Sequence, residues 1–169
     1  MRLAPLDLVV ALRLLQGDAT LQRLADELGV APSQVHASVE RLRLAQLLRP
    51  DSRQVNRLAL EEFLLHGARY AFPPVLAPPA RGVPTAHSAS ALAAIFGNAD
   101  PYVWPSPEGD VVGQSLEPLY PGAPKLRERS PETYRLLTLF DALRVGQARE
   151  RSAARDLLKQ AVKSPSAAA

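Results

Sequence analysis

The sequence predicts a mainly α-helical protein. Three helices and a short wing come first, a proline-rich irregular arm with a small hairpin follows, and further helices end the chain. Three observations support this: apolar residues recur at helical spacing in the first third, prolines crowd the middle, and helical spacing returns near the C-terminus. The expected regions are a head at 1–70, an arm or connector at 71–130, C-terminal helices at 131–163 and a frayed tail at 164–169.

The first three helices follow from their end signals. "PLDLVVALRLLQG" has apolar residues at helical spacing, and "TLQRLADELG" places an N-cap, Thr20, before an apolar stripe and a helix-ending glycine, Gly29, after it. Pro32 then suits the first turn of a third helix. One face of that helix is apolar and is expected to be buried against the other two helices; it carries Val35, Val39 and Leu42.

Composition narrows the class of protein. With no cysteine and three histidines far apart in sequence (His36, His66 and His87), disulfides and cysteine-ligated zinc are excluded, and we expect neither metal nor cofactor. The N-terminal apolar run is interrupted by Asp7 and Arg13, which fits neither a signal peptide nor a membrane span. A cytoplasmic protein with no membrane partner is therefore expected.

Positive charge is concentrated at the C-terminal end. The net charge is +3, but residues 125–169 alone hold ten basic and five acidic side chains. Arginine makes up 17 of the 20 basic residues, and its planar guanidinium suits bidentate phosphate contact. A GC-rich genome would produce the same arginine excess, so this composition alone does not decide between the two explanations.

The stretch "LADELGVAPSQVHASVERLRLAQLL" resembles the winged helix-turn-helix family of bacterial transcription regulators, of the MarR-like or GntR-like kind. The likeness is carried by "LA-x-x-LGV-x-PS-x-V" and a closing "RL-x-x-x-x-LL", and it covers about residues 5–60. The resemblance implies that the helix at 32–45 enters the major groove of double-stranded DNA. Most such proteins bind two half-sites as a homodimer.

The outward face of this third helix supplies candidate DNA contacts. Glutamine and serine can hydrogen-bond to base edges or phosphates, and a short alanine can meet a thymine methyl. Glu40 would repel phosphates unless it accepts from a cytosine amine or pairs with a neighbouring arginine, Arg41 or Arg43. The candidates are Ser33, Gln34, His36, Ala37 and Arg41.

The wing is expected in "LLRPDSRQVNRLAL", with a turn at 50–53 and Asn56 as the N-cap of a further helix that Gly67 breaks or bends. Three arginines lie on or beside it: Arg49, Arg53 and Arg57. Because the third helix carries few cations of its own, these arginines are predicted to contact phosphates or the minor groove. The alternative is a solvated turn.

The middle region is rich in both prolines and large apolar residues. A flexible linker and an ordered arm packed on the head or on a second subunit are both consistent with the prolines, but the aromatic residues favour order. "YVWPSPEGDVV" can form a hairpin, with Trp104 as a packing anchor. His87 lies near serines and threonines, but no catalytic motif accompanies it. No catalytic residue is therefore predicted, and the protein is not expected to be an enzyme.

"SPETYRLLTLFDALR" predicts a helix capped by Ser130 that is apolar on more than one face and must be buried. This helix and the aromatic arm are the predicted homodimer interface. Arginines are expected on the other side of the C-terminal helices, as a solvated face, a second phosphate-contacting surface or a docking face for an acidic partner: Arg144, Arg149, Arg151 and Arg155.

Together these features predict a sequence-specific, DNA-binding transcription regulator that acts as a homodimer. The alternative is a non-catalytic interaction protein, such as an antitoxin or adaptor, that uses the same head for protein contact.

Overall fold

In the computed structural model, which describes residues 1–164, the first three helices lie where the sequence places them. They are α1 (Pro5–Leu14), α2 (Leu21–Leu28) and α3 (Pro32–Leu44). Thr20 caps α2, since its Oγ1 accepts a hydrogen bond from the Arg23 N–H at 3.1 Å. Gly29 ends α2 in the left-handed conformation, with φ of 68°. The predicted inward face of α3 is confirmed: Val35, Val39 and Leu42 are at most 2% exposed.

The segment after α3 forms a very short antiparallel pair. Leu48 and Val55 make a single β-bridge, flanked by the hydrogen bond from Arg49 N–H to the Gln54 carbonyl at 2.8 Å. Asn56 caps the next helix as predicted, accepting from a backbone N–H at 3.4 Å. That helix is α4 (Arg57–Glu62), which widens into a π-helical turn (Phe63–Gly67) and continues as α5 (Ala68–Ala71). The helix is therefore distorted up to the glycine but not ended by it.

The proline-rich region is ordered and forms a small sheet. Its elements are β1 (Leu76–Thr85), a 3₁₀ turn (Ala86–Ser88), α6 (Ser90–Phe96), β2 (Tyr102–Pro105) and β3 (Val111–Leu116). The strand β1 tolerates Pro78 and Pro79 because the pairing register shifts between Ala77 and Ala80, where ladder hydrogen bonds are not required of them. The sequence indicated order here but not a ten-residue strand.

The predicted hairpin of β2 and β3 is wrong. Both strands pair antiparallel with β1 and parallel with each other, closing a three-stranded barrel. The segment that connects β2 to β3 passes β1 at Gly82, which is paired with both Pro105 of β2 and Val111 of β3. The crossing requires close backbone approach: a Cβ on Gly82 would lie 2.1 Å from the Trp104 carbonyl oxygen, and one on Gly109 would lie 2.1 Å from the Gly82 carbonyl carbon.

The C-terminal part consists of a 3₁₀ turn (Ala123–Lys125), α7 (Leu126–Arg129), α8 (Pro131–Val145) and α9 (Ala148–Lys163). As predicted, α8 is buried on several faces, but by its own chain: it packs on α1, α9 and the arm. Its large apolar residues Leu136, Leu137, Leu139, Phe140 and Leu143 are at most 1% exposed. The apolar surface that suggested a dimer interface is therefore used in the core. The predicted tail, apart from Ser164, lies outside the described residues.

A buried carboxylate joins the arm to α8. Asp141, 1% exposed, accepts hydrogen bonds from Thr85 Oγ1 at 2.6 Å, Trp104 Nε1 at 2.7 Å and Arg144 Nη2 at 2.6 Å. Trp104 is fully buried, which confirms it as a packing anchor. Arg144, in contrast, was expected on an outer face but is internal, since it is held by Asp141 and by the Phe72 carbonyl at 3.2 Å.

His87 is also buried, and its ring lies between Tyr102 and Glu150. It is 3% exposed, its ring meets the Tyr102 ring edge-on at 5.6 Å, and its Nδ1 lies 3.9 Å from Glu150 Oε1. The nearby hydroxyl of Thr85 is already bonded to Asp141.

No helix in the described part of the chain is both long and apolar enough to cross a membrane.

Candidate nucleic-acid interface

The outward face of α3 is exposed to solvent. Because Val35, Val39 and Leu42 direct one side of the helix into the core, the intervening positions point away from it. Ser33, Gln34 and His36 are exposed and Ala37 is half-buried. These four predicted residues therefore lie together on one accessible surface at the N-terminal half of the helix.

Gln34 has a structural role on this surface as well. Its Oε1 accepts a hydrogen bond from the Ala31 N–H at 3.0 Å, which caps the start of α3. Its Nε2 makes no hydrogen bond within the described residues, so its two donors remain available. The cap holds the side chain at a fixed position beside Ser33, which favours a directional contact to a base edge or phosphate.

Arg41, in contrast, does not serve the outward face. Its Nε and Nη2 bind the two carboxylate oxygens of Asp7 on α1, both at 2.8 Å. Asp7 is only 1% exposed, so this pair fastens α3 to α1. The hydrogen bonds that Arg41 donates to Asp7 raise the pKa of Arg41 above its ordinary value. The predicted DNA contact by Arg41 is therefore corrected to a structural ion pair.

The three wing arginines differ from one another. The Arg49 side chain is exposed and has no ion pair or hydrogen bond within residues 1–164. Arg53 makes a two-point pair with Asp18, at 2.7 and 3.2 Å, on the surface. Such exposed pairs contribute little stability, so the Arg53 guanidinium can leave Asp18 for a phosphate at small cost.

Arg57 is turned away from the wing. It donates to the carbonyl oxygens of Val162 and Ser164 at the C-terminal end of α9, and to that of Leu15 at 3.4 Å. A cation placed at a helix C-terminus satisfies carbonyls that have no partner within the helix. The predicted phosphate contact by Arg57 is therefore corrected to a cap of α9 that joins this helix to the start of α4 and the end of α1.

The acidic residue on the outward side of α3 is neutralised, as the sequence allowed. Glu40 pairs with Arg43 at 2.6 Å, and Arg43 also donates to the Ser52 carbonyl at 3.0 Å. Arg43 therefore ties the wing turn to α3 while it removes the net charge of Glu40. The ion pair makes the surface less repulsive to a polyanion.

One cation beside α3 was missed by sequence reasoning. Arg129, at the end of α7, reaches the turn between α2 and α3: a Cβ on Gly29 would lie 2.6 Å from Arg129 Nη1. No local pattern connects positions 29 and 129. The only signal was the excess of basic residues after 124, which the sequence could not assign to a surface.

The predicted arginine face of the C-terminal helices is not assembled as one surface. Arg144 is internal, and Arg151 donates to the Gly146 carbonyl at 2.6 Å at the end of α8. Of the four arginines, Arg149 is exposed and Arg155 is half-buried.

Within residues 1–164, no three histidine, aspartate or glutamate side chains lie close enough to hold a metal ion. No family model, curated protein or solved structure matches this chain.

Proposed function

We propose that the protein binds double-stranded DNA as a winged helix-turn-helix transcription regulator, with α3 in the major groove. The observation that carries the proposal is the accessible polar face of α3, where Ser33, Gln34 and His36 are exposed on the side opposite the buried valines, after a turn that Gly29 makes in the left-handed conformation. An α-helix presented in this way fits the width of the major groove, and the residues of its N-terminal half contact base edges.

Phosphate contacts in this proposal come from the wing. Arg49 is exposed without a partner in the described chain, and Arg53 can exchange Asp18 for a phosphate. The face of α3 itself supplies no free cation among its described residues, because Arg41 and Arg43 are held by Asp7 and Glu40. Base readout and phosphate binding are therefore divided between α3 and the wing.

The test is selection of duplexes from a random pool by the purified protein, followed by anisotropy titrations of the selected duplex at several salt concentrations. The expected result is an affinity that falls steeply with salt, because cations on the protein displace counterions from the DNA. Replacing Gln34 and His36 together by alanine should change which sequences are selected. No shift at low salt, or affinity independent of salt, would refute the proposal.

Single arginine variants separate the two kinds of contact. Arg49→Gln should weaken binding to every duplex alike and reduce the slope of log affinity against log salt by about 1. Arg149→Gln is the matched control, because Arg149 is also exposed but belongs to α9. Equal effects of the two substitutions would show that only total charge matters and that the wing has no specific position on DNA.

A second candidate function, contact with another protein, is favoured by an apolar groove at the other end of α3. The groove has a volume of about 520 Å³ and is lined in part by Leu3, Leu47 and Phe63. Met1 and Leu44, which are 91% and 68% exposed, line a second depression that shares Leu3 with this groove. Leu44→Ser would abolish such a contact but leave DNA affinity unchanged.

The homodimer remains a prediction. Two half-sites are normally bound by two copies of such a head. With α8 inside the core, the apolar residues left for a second subunit are on other surfaces, among them Leu58 at 83% exposure and Tyr70 at 72%. Light scattering at micromolar concentration, with and without selected DNA, measures the stoichiometry. A monomeric mass without DNA and one copy per duplex with DNA would refute the homodimer.

A further inference from the structure

We propose that the DNA interface is composite, and that Arg129 of α7 contacts the phosphate backbone at the turn between α2 and α3. This inference rests on the proposed function and extends it to a residue one hundred positions beyond that turn. The occupant is a phosphate of double-stranded DNA. The wing would then hold the duplex on one side of α3 and Arg129 would hold it at the helix's N-terminal end.

The Arg129 guanidinium lies over the turn between α2 and α3. A Cβ built on Gly29 would lie 2.6 Å from Arg129 Nη1 and 3.8 Å from its Cζ, so the cation covers the turn itself. When a helix enters the major groove with its N-terminal residues at the base edges, the helix before it crosses the phosphate backbone, and the turn joins the two. A cation at this turn is therefore placed where a phosphate would pass.

The segment that carries Arg129 is held against the end of α2. Tyr120 Oη donates to the Leu28 carbonyl at 3.0 Å, and a Cβ on Gly122 would lie 2.9 Å from that same oxygen. Leu126 is 1% exposed. The segment that precedes α7 is thus held against the end of α2 and the first residue of α7 is buried, so the backbone position of Arg129 is part of the fold and does not depend on a loose loop.

The Arg129 side chain is exposed, and within the described chain it makes no ion pair and no hydrogen bond. Arg127, two residues earlier, pairs with Asp110 at 3.1 Å. Burial raises the pKa of Tyr120 while the positive charge of Arg129 opposes that rise, which agrees with a guanidinium close to the turn.

Gly29 suits this turn through its backbone conformation. It adopts φ of 68°, which a residue with a side chain rarely does, and a Cβ there would make the flexible end of Arg129 move aside. The same small residue that ends α2 therefore leaves room for the cation above it.

The test uses the full-length protein and the duplex selected with it, in anisotropy titrations over a range of salt. Arg129→Gln should lower affinity about tenfold for selected and unselected duplexes alike, as expected for a lost charge-assisted hydrogen bond. It should also reduce the log–log salt slope by about 1. Arg129→Lys keeps the charge and should restore the slope. Arg127→Gln is the matched control on the same helix and should leave the slope unchanged.

The outcomes are distinct. If the wild-type protein binds the duplex and Arg129→Gln binds with wild-type affinity and slope, the composite interface is overturned while DNA binding by α3 stands. If the wild-type protein binds no duplex, the proposed function and this inference fail together. If Arg129→Gln is weak but Arg129→Lys is equally weak, the residue is structural, and loss of α-helical circular dichroism in both variants would identify that cause.

Discussion

Replacing Asp141 by asparagine should destabilise the fold more than any surface substitution. The two carboxylate oxygens are fully used: Oδ2 accepts from Thr85 and Trp104, and Oδ1 accepts from Nε and Nη2 of Arg144. An asparagine amide offers one oxygen only. In one orientation its NH₂ faces a buried guanidinium, and in the other it faces the indole N–H, so a donor loses its acceptor in either case.

The magnitude follows from burial. The side chains of Asp141 and Arg144 are 1% and 3% exposed, so solvent cannot replace the lost charge. Breaking a buried pair by removing one partner costs about 3–5 kcal/mol, because the other charge is left uncompensated. A domain of this kind is stable by only about 5–15 kcal/mol, so the variant should lose a large share of its free energy of unfolding.

Urea unfolding followed by tryptophan fluorescence measures this loss. Trp104 is the only tryptophan and donates directly to Asp141, so the probe reports from the altered site. Asp156→Asn, on the exposed side of α9, is the matched control and should stay within about 0.5 kcal/mol of wild type. Adding Arg144→Met to Asp141→Asn should recover part of the loss, because the orphaned charge is removed. A midpoint for Asp141→Asn equal to that of the control would refute the reasoning.

Three further predictions concern other parts of the fold. Arg13 holds the pKa of Glu27 below its usual value. The pair therefore stabilises the fold above the unfolded-state pKa of Glu27, and this stability is lost as the pH falls through the lowered folded-state pKa. The difference in urea midpoint between wild type and Glu27→Gln should accordingly disappear in strongly acidic buffer. Gly82→Ala should unfold the barrel, measured as loss of buried-tryptophan emission, because its Cβ would overlap the Trp104 carbonyl oxygen. Arg57→Gln should lower the free energy of unfolding by about 1.5 kcal/mol and leave DNA affinity unchanged.

Each of these has a matched control. Glu62→Gln changes an exposed glutamate, and its midpoint difference should stay small at every pH. Gly67→Ala adds a Cβ whose nearest contact is a ring carbon of Phe63 at 3.2 Å, so the protein should fold. Arg49→Gln should show the reverse of Arg57→Gln, with weaker DNA binding and unchanged stability. An Arg57 variant that loses DNA affinity at full stability would return that residue to the interface.

The N-terminal half of the fold could be predicted because its signals are local. Thr20 caps α2, Gly29 ends it and Pro32 begins α3, and each acts within about four residues of chain. The spacing of Val35 and Val39 likewise sets the inward face of α3, and hence the outward one, without reference to the rest of the molecule. Four of the candidate contacts on α3 follow directly from that periodicity.

The tertiary structure decided which charged side chains already have partners within the fold and which apolar ones are buried. In sequence, Arg41, Arg57 and Arg144 look like surface cations, but each is held by a partner 34, 105 or 72 residues away, respectively. Arg129, which sequence reasoning did not single out, lies at the turn before α3.

The sequence by itself determined the helices of the head, their ends and the polar face of α3, because helix spacing and caps depend on neighbouring residues. Only the tertiary structure decided that β1 pairs with both later strands, that α8 fills the core of its own chain and which arginines remain available to a ligand. Those outcomes depend on contacts between residues far apart along the chain, and one sequence carries no local pattern that records them.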